Sequence, residues 1–349
     1  MIGIRLLKSI IKFFVKLGGK SNMGLNKEEM IIAQIANPYI SYSKEKLKNI
    51  SLNFVSSNKI SLLLSEKGIE TNTSREDKEK VECLIDELCN LTQVFDAHGV
   101  NYVIIKLPKL PKSLSDIDIL ILDDSIEVAD IALKQMKYIL EDDVEPHRRT
   151  YVKTVNGERI AVDLHLELSW RRVIYLEKKE IWKNRIKREI NGVNIPVPYP
   201  EHELLISAAH AVFKHNKITL FDVLYVNSII TENDINMDFV EETAKRNGWQ
   251  KQFLFFIRKV NELYKELYEE SLDQKNFNIN LPFFFPLHTV ISLRAQKIFS
   301  DLRFGAKRAL IDLYAYSLDI IQYIFEEKLG ISLSSFFNML SFLKRRGRI

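Results

Sequence analysis

The run Ser115-Asp116-Ile117-Asp118-Ile119-Leu120-Ile121-Leu122 restricts the possible folds of this chain more than any other segment. Side chains alternate across a strand, so Asp116, Asp118, Leu120 and Leu122 share one face and Ile117, Ile119 and Ile121 the other. A strand that is apolar on both faces is a central one, covered from both sides. Two carboxylates at its start must meet a cation or solvent there, because an isolated buried anion is too costly. Paired oxygen donors suit a hard dication such as Mg²⁺, with Mn²⁺ as the alternative, since it binds one or two carboxylates together with substrate phosphates. The same letters alone also describe an exposed strand end.

A third carboxylate strengthens the first reading. From Arg159 to Leu168 the alternation is strict: Ile160, Val162, Leu164, Leu166 and Leu168 occupy one face, Arg159, Ala161, Asp163, His165 and Glu167 the other. The first face belongs to a core, and a polar face at mid-strand lines either a cleft or open solvent. Asp163 beside Asp116 and Asp118 would complete a three-carboxylate site for two metal ions.

The rest of the chain surrounds this unit with helices. Gly (12) and Pro (9) are scarce among 349 residues, which favours long helices over an all-β chain full of tight turns. With 46% hydrophobic residues and a net charge of +4, intrinsic disorder is excluded, and nucleic acid is permitted as a partner without being demanded. Residues 27–91 read as mostly helical, broken near Pro38 and around Ser56-Ser57-Asn58. The strongest helix runs from Ser74 to His98, with Ser74 as N-cap and Gly99 as the stop. Short strands follow at Tyr102–Lys106 and Ile117–Leu122, then a helix to Leu140. A hairpin at Asn156-Gly157 joins Thr150–Val155 to Arg159–Leu168, and Val193–Val197 is a further strand. Beyond Glu201 the chain reads as helical apart from a loop at Asn276–Pro286. The expected class is therefore α+β: an N-terminal helical region (1–95), a small mixed-sheet core (96–200) and a C-terminal helical domain (201–349).

Cys83 and Cys89 have no metal-type spacing and read as core thiols in a reducing compartment, so a cytoplasmic protein is expected. Residues Ile2 to Leu17 form a basic amphipathic pattern. Its lysines suit a membrane surface or RNA, although packing on the next segment is the plainer expectation. The terminal Lys344-Arg345-Arg346-Gly347-Arg348 run reads in the same two ways.

The order helix, strand, loop, Ser-Asp-Ile-Asp strand, helix, then a later strand with a third Asp resembles the DNA polymerase β-like nucleotidyltransferase superfamily. More narrowly, Tyr102 to about Ile230 looks like the group labelled uncharacterised nucleotidyltransferase. The residues that carry the likeness are Lys106, Ser115-Asp116-Ile117-Asp118, His147, Asp163-Leu164-His165 and the helix from Glu203 through His210. The resemblance implies Mg²⁺ ions held by Asp116, Asp118 and Asp163. It further implies transfer of a nucleoside monophosphate from a nucleoside triphosphate to an acceptor hydroxyl on a small molecule, protein or RNA. Members of the superfamily usually carry a Gly-Ser pair after the first strand, whereas this chain has Lys106-Leu107-Pro108-Lys109-Leu110-Pro111-Lys112. Prolines donate no backbone hydrogen bond, so phosphate contacts are expected from Lys106 first, which ends the strand nearest the carboxylates, and from Ser115, Lys109 and Lys112. At least one of the two loop lysines, Lys109 and Lys112, is expected to be merely solvated. A catalytically silent binding protein on the same scaffold is the rival reading.

Lesser candidates each have an ordinary counterpart. His165 would contact a phosphate or orient Asp163, or be a surface histidine. His147 with Arg148 and Arg149, and Arg171 with Arg172, suit an anion or simple ion pairs. His210 reads first as a core histidine and second as a cleft-lining one. His202, His210 and His215 share no metal spacing.

Overall fold

The computed structural model describes residues 25–39, 51–71, 73–142, 147–170, 173–268 and 283–284. Apart from Val173, these belong to one compact unit made of Lys20–Trp170 and Ile174–Phe284. The expected basic helix before Leu17, the Arg171-Arg172 pair and the terminal basic run lie outside the described residues.

The architecture is α+β. A five-stranded mixed sheet has the order β1-β2-β5-β4-β3, with β1 Tyr102–Ile105, β2 Asp116–Ile121, β3 Ile139–Asp142, β4 Arg148–Val155 and β5 Glu158–His165. The central pair β2 and β5 is parallel, and every other pairing is antiparallel. Helices precede the sheet: α1 Lys27–Ala36, α2 Leu52–Ser57, α3 Ser61–Glu66 and the long α4 Ser74–Ala97; α5 Ile126–Gln135 follows β2.

One sheet face is the main core. Ile117, Ile119 and Ile121 of β2, with Ile160, Val162 and Leu164 of β5, pack under Leu84, Leu88, Leu91 and Phe95 of α4 and Ala129, Ala132 and Leu133 of α5. Spacing of three and four along α4 places its apolar stripe on that face. Glu87 also points inward, buried, and accepts from Tyr138 Oη (3.0 Å) and Lys153 Nζ (2.7 Å). The opposite sheet face carries Asp116, Asp118 and Leu120 and belongs to the site.

Several elements depart from the sequence reading. The helix after β2 stops at Gln135, and Ile139–Asp142 is an edge strand rather than a last helical turn. Lys137 adopts a left-handed φ of 66° between them, which no helix continues through. Ser74 is the first helical residue, not the cap; its Oγ accepts from Thr71 N and donates to Glu70. Val193–Val197 (β9) pairs with an unforeseen strand, β8 at Ile186–Ile190, through an Asn191-Gly192 turn in which both residues have positive φ. Arg159–Leu168 is two strands, β5 ending at His165 and β6 spanning Leu168–Trp170, with β7 (Val173–Leu176) beside β6.

The C-terminal part of the unit is helical: α6 Lys178–Lys183, α7 Pro200–Ala209, α8 Leu220–Glu232, α9 Met237–Arg246 and α10 Gln250–Tyr268. Trp249 is fully buried and its Nε1 donates to Tyr175 O at 2.8 Å. The expected loop near Phe283 forms a short ladder there, β11 at Phe283–Phe284 on β10 at Lys217–Ile218. Cys83 and Cys89 are free; Cys89 is a core thiol, Cys83 is half-buried against the core, and burial raises both thiol pKa values. Among the described residues no helix is long and apolar enough to cross a membrane.

Candidate functional site

Sheet register assembles the acidic centre. On the parallel pair β2 and β5, Asp118 stands opposite Asp163, and Asp116 opposite Ala161. On the far side of β5, β4 places Thr150 opposite Asp163 and Arg148 opposite His165. On the other flank of β2, Ile105 of β1 stands opposite Asp118, and Lys106 follows immediately. Asp118 therefore receives groups from strands on both sides.

The contacts follow from that register. Lys106 Nζ donates to Asp118 Oδ1 at 2.6 Å, and His165 Nε2 lies 2.6 Å from the same oxygen. Arg148 Nη1 donates to Asp163 Oδ2 at 2.7 Å and Thr150 Oγ1 to Asp163 Oδ1 at 2.6 Å. Asp118, Asp163 and His165 are all buried. Their ligand atoms lie within 4.8 Å of one another, so these three converge. Asp116 is outside that trio; it lines the adjoining cavity and accepts from Ser115 Oγ at 2.8 Å. His165 contacts Asp118, not Asp163, so the carboxylate it orients is not the one the sequence suggested.

Burial raises a carboxyl pKa, yet at Asp118 the Lys106 ammonium and the His165 hydrogen bond outweigh it and hold the group far below its ordinary value. Lys106 is the mirror case: burial lowers it, Asp118 more than restores it, and it remains a cation. Burial lowers His165, which leaves a neutral imidazole facing the carboxylates. Tyr175 is pushed up to about 12 by burial and stays a phenol.

Lys106 has a left-handed φ of 59°. For a residue with a Cβ this costs about 1–2 kcal/mol, a form of strain that concentrates at functional sites. Here the off-extended backbone ends β1 and accompanies the lysine's contact with Asp118.

A cavity of about 410 Å³ opens beside Asp116 and Asp118. Lys106, Lys112, Lys59 and Lys214 line it, together with His210 and His215. Of the turn lysines, Lys112 faces this cavity, whereas Lys109 pairs with Glu232 at 3.4 Å elsewhere. His210 is a cavity-lining residue, not a core one, and burial, with Lys106 next, lowers its pKa strongly. The segment His210–His215 is wound as a π-helix, whose i to i+5 pairing brings the His210 and His215 rings edge to face, 4.4 Å apart. Sequence reasoning missed Lys59 and Lys214 and gave His215 no role: a π-wound turn has no periodic signature, and Lys59 lies far from the motif. Thr150 was missed because its role comes from register alone.

The donor set fits a divalent cation. Two carboxylates and a neutral imidazole converge, and both hydrogen bonds to Asp118 fall on Oδ1 of a residue that also lines the cavity. Asp118 and Asp163 would hold such an ion, with His165 as nitrogen donor or as the group that orients Asp118.

A family model described as uncharacterised nucleotidyltransferase matches residues 71–265. Among solved structures, the crystal structure of an antigenic nucleotidyltransferase-like protein from Paracoccidioides brasiliensis is 14% identical with a TM-score of 0.37, covering 59% of this chain and 95% of that one. No curated protein matches the chain.

Proposed function

This chain belongs to the uncharacterised nucleotidyltransferase family, and from that premise we propose that it moves a nucleoside monophosphate from a nucleoside triphosphate to an acceptor hydroxyl. The observation that carries the reading is the in-register pair Asp118 and Asp163 on parallel strands, next to a lysine-lined cavity large enough for a nucleotide.

In the reaction the acceptor oxygen forms a bond to the α-phosphorus and the bond from that phosphorus to the bridging oxygen breaks. Pyrophosphate leaves with the electron pair, and the hydroxyl proton passes to water. A divalent ion, when bound, lowers the acceptor's pKa and neutralises charge on the phosphoryl oxygens. Mg²⁺ is the first candidate and Mn²⁺ the second. Asp118 and Asp163 would hold it, Asp116 would add a further oxygen donor, and His165 keeps Asp118 aimed. Lys106, charged and half-buried beside Asp118, supplies fixed positive charge to the reacting phosphate. Ser115 keeps Asp116 oriented.

The test is incubation of the full chain with each α-labelled nucleoside triphosphate, Mg²⁺ or Mn²⁺, and small-molecule, protein and RNA acceptors. Label transfer with stoichiometric pyrophosphate, abolished in Asp118→Asn, is the expected result. A second reading, a silent nucleotide-binding scaffold, draws on one observation: Arg148 and Thr150 engage both oxygens of Asp163. Triphosphate binding without transfer under every condition would establish that reading and end the catalytic one.

A further inference from the structure

We propose that the cavity beside Asp116 is a polyphosphate cradle built by Lys59, Lys112 and Lys214, three lysines from separate segments, and that it grips a linear phosphate chain without any metal. The inference deepens the nucleotidyltransferase reading, on which it rests for the identity of the phosphate donor. Its new content is which residues bind, above all Lys59, which precedes the family match at residues 71–265.

Charge at the cavity wall favours a polyanion. Lys106 is already ion-paired with Asp118, and Asp77 at the cavity wall is hydrogen-bonded by Ser61 Oγ (2.5 Å) and Ser113 Oγ (2.8 Å). Among the described residues neither Lys59 nor Lys112 has a carboxylate at ion-pair distance; Lys112 Nζ instead sits 5.2 Å over the Phe221 ring. Clustered ammonium groups in a cavity repel one another and lose hydration, so they destabilise the free protein. Burial first, then neighbouring lysines, lowers the pKa of Lys112 and Lys214. An anion with several negative oxygens removes that penalty.

The lysines are held in place by the fold. Lys59 is not on a free tail but in a tied turn. Asn58, fully buried, donates from Nδ2 to Phe54 O (3.0 Å) and accepts at Oδ1 from Leu220 N (3.0 Å), while Asn58 O accepts from Phe221 N (3.2 Å). These bonds clamp the α2–α3 turn to the start of α8. Lys59 follows with a left-handed φ of 58°, and Ile60 is buried. Lys112 arrives from the proline-rich turn after β1 and Lys214 from the π-wound segment, so three independent elements converge on one space. In this chain side-chain ammonium groups take the place of the backbone-amide cradle that the Pro108 and Pro111 turn cannot build.

The experiment is calorimetric titration of the full chain with inorganic tripolyphosphate in EDTA, with monophosphate as comparison. Wild type is expected to bind tripolyphosphate, with monophosphate at least about 10-fold weaker. Lys59→Met should lower tripolyphosphate affinity by about 10-fold or more, the scale of one lost charge-assisted contact, and Lys59→Arg should restore most of it. Met and Lys are both unbranched, so the left-handed backbone is equally tolerated, and the urea midpoint of each variant verifies folding. No tripolyphosphate binding by wild type in EDTA, or equal binding by Lys59→Met, overturns the cradle. The two proposals fail separately: metal-free binding that depends on Lys59, without label transfer, retires catalysis and keeps the cradle. Label transfer whose nucleotide KM is untouched by Lys59→Met does the reverse.

Discussion

Replacing Asp118 by Asn keeps the side-chain shape, removes the charge and leaves one oxygen to accept where Oδ1 does, which makes it the sharpest probe of the acidic centre. In the native chain the carboxylate is 7% exposed and faces Lys106, itself 18% exposed, at 2.6 Å. Removing one member of a buried pair costs about 3–5 kcal/mol because the other charge stays behind without compensation. Lys106 keeps some contact with solvent, so the lower end, about 3 kcal/mol, is expected. At about 2–4 °C per kcal/mol for a unit of this size, Tm falls by roughly 6–12 °C. Lys106→Met alone destabilises too, by leaving Asp118 uncompensated. The double variant Asp118→Asn/Lys106→Met removes both charges and should recover part of the loss, giving a coupling of at least about 1.5 kcal/mol. The assay is urea unfolding in EDTA followed by tryptophan fluorescence, since Trp249 is fully buried. Repeating it with Mn²⁺ adds a second readout: the ion should stabilise Lys106→Met more than wild type, because it takes over the charge balance of Asp118 and Asp163. Strictly additive losses in the double variant would refute the pairing argument, and an unchanged urea-unfolding curve of Lys106→Met on adding Mn²⁺ would refute the cation site.

Other consequences follow from the same geometry. Asp163→Asn should lower any label transfer by at least about 100-fold, while Thr150→Val, one contact further out, should cost about 10-fold; steady-state rates of pyrophosphate release test both. Burial, then Lys59, holds His215 down at about 2, so the folded state refuses a proton that the unfolded chain accepts near 6.5. Its contribution to stability is intact above pH 6.5 and is lost as pH falls from there toward the folded value, by up to about 1.4 kcal/mol per pH unit. Urea midpoints between pH 7.5 and 5 should fall, and His215→Gln should flatten that slope. On the far sheet face, Tyr138→Phe removes a hydrogen bond to the buried Glu87 and should destabilise by about 1 kcal/mol without altering nucleotide binding. Asn58→Ala should cost about 2 kcal/mol, and more tripolyphosphate affinity than its distance from the cavity suggests, because it frees the turn that carries Lys59.

Much of the architecture was legible in the amino-acid order because it rests on local periodicity. A two-sided apolar strand beginning with Asp116 and Asp118, a strictly alternating strand carrying Asp163 and His165, and a 3.6-residue stripe along Ser74–Ala97 each declare their own geometry. Burial of Asp163 and His165 excludes open solvent, one of the two settings that alternation left open. Edge elements were less legible. Ile139–Asp142 and Ile186–Ile190 are short and largely exposed, so their strand character comes from a neighbour's free hydrogen-bonding edge and not from their own pattern.

The residues alone determined that two aspartates start a central strand, that a third acidic group lies on a later one, and that helices enclose them, since side-chain alternation and apolar spacing are properties of consecutive positions. Only the tertiary structure decided that β2 and β5 run parallel in the register that sets Asp118 against Asp163. The same holds for Lys106 closing on Asp118 through a left-handed residue, and for Lys59, Lys112 and Lys214 facing one cavity. Those are pairings between segments far apart along the chain. Their free energy comes from packing and charge balance that no single stretch of sequence contains.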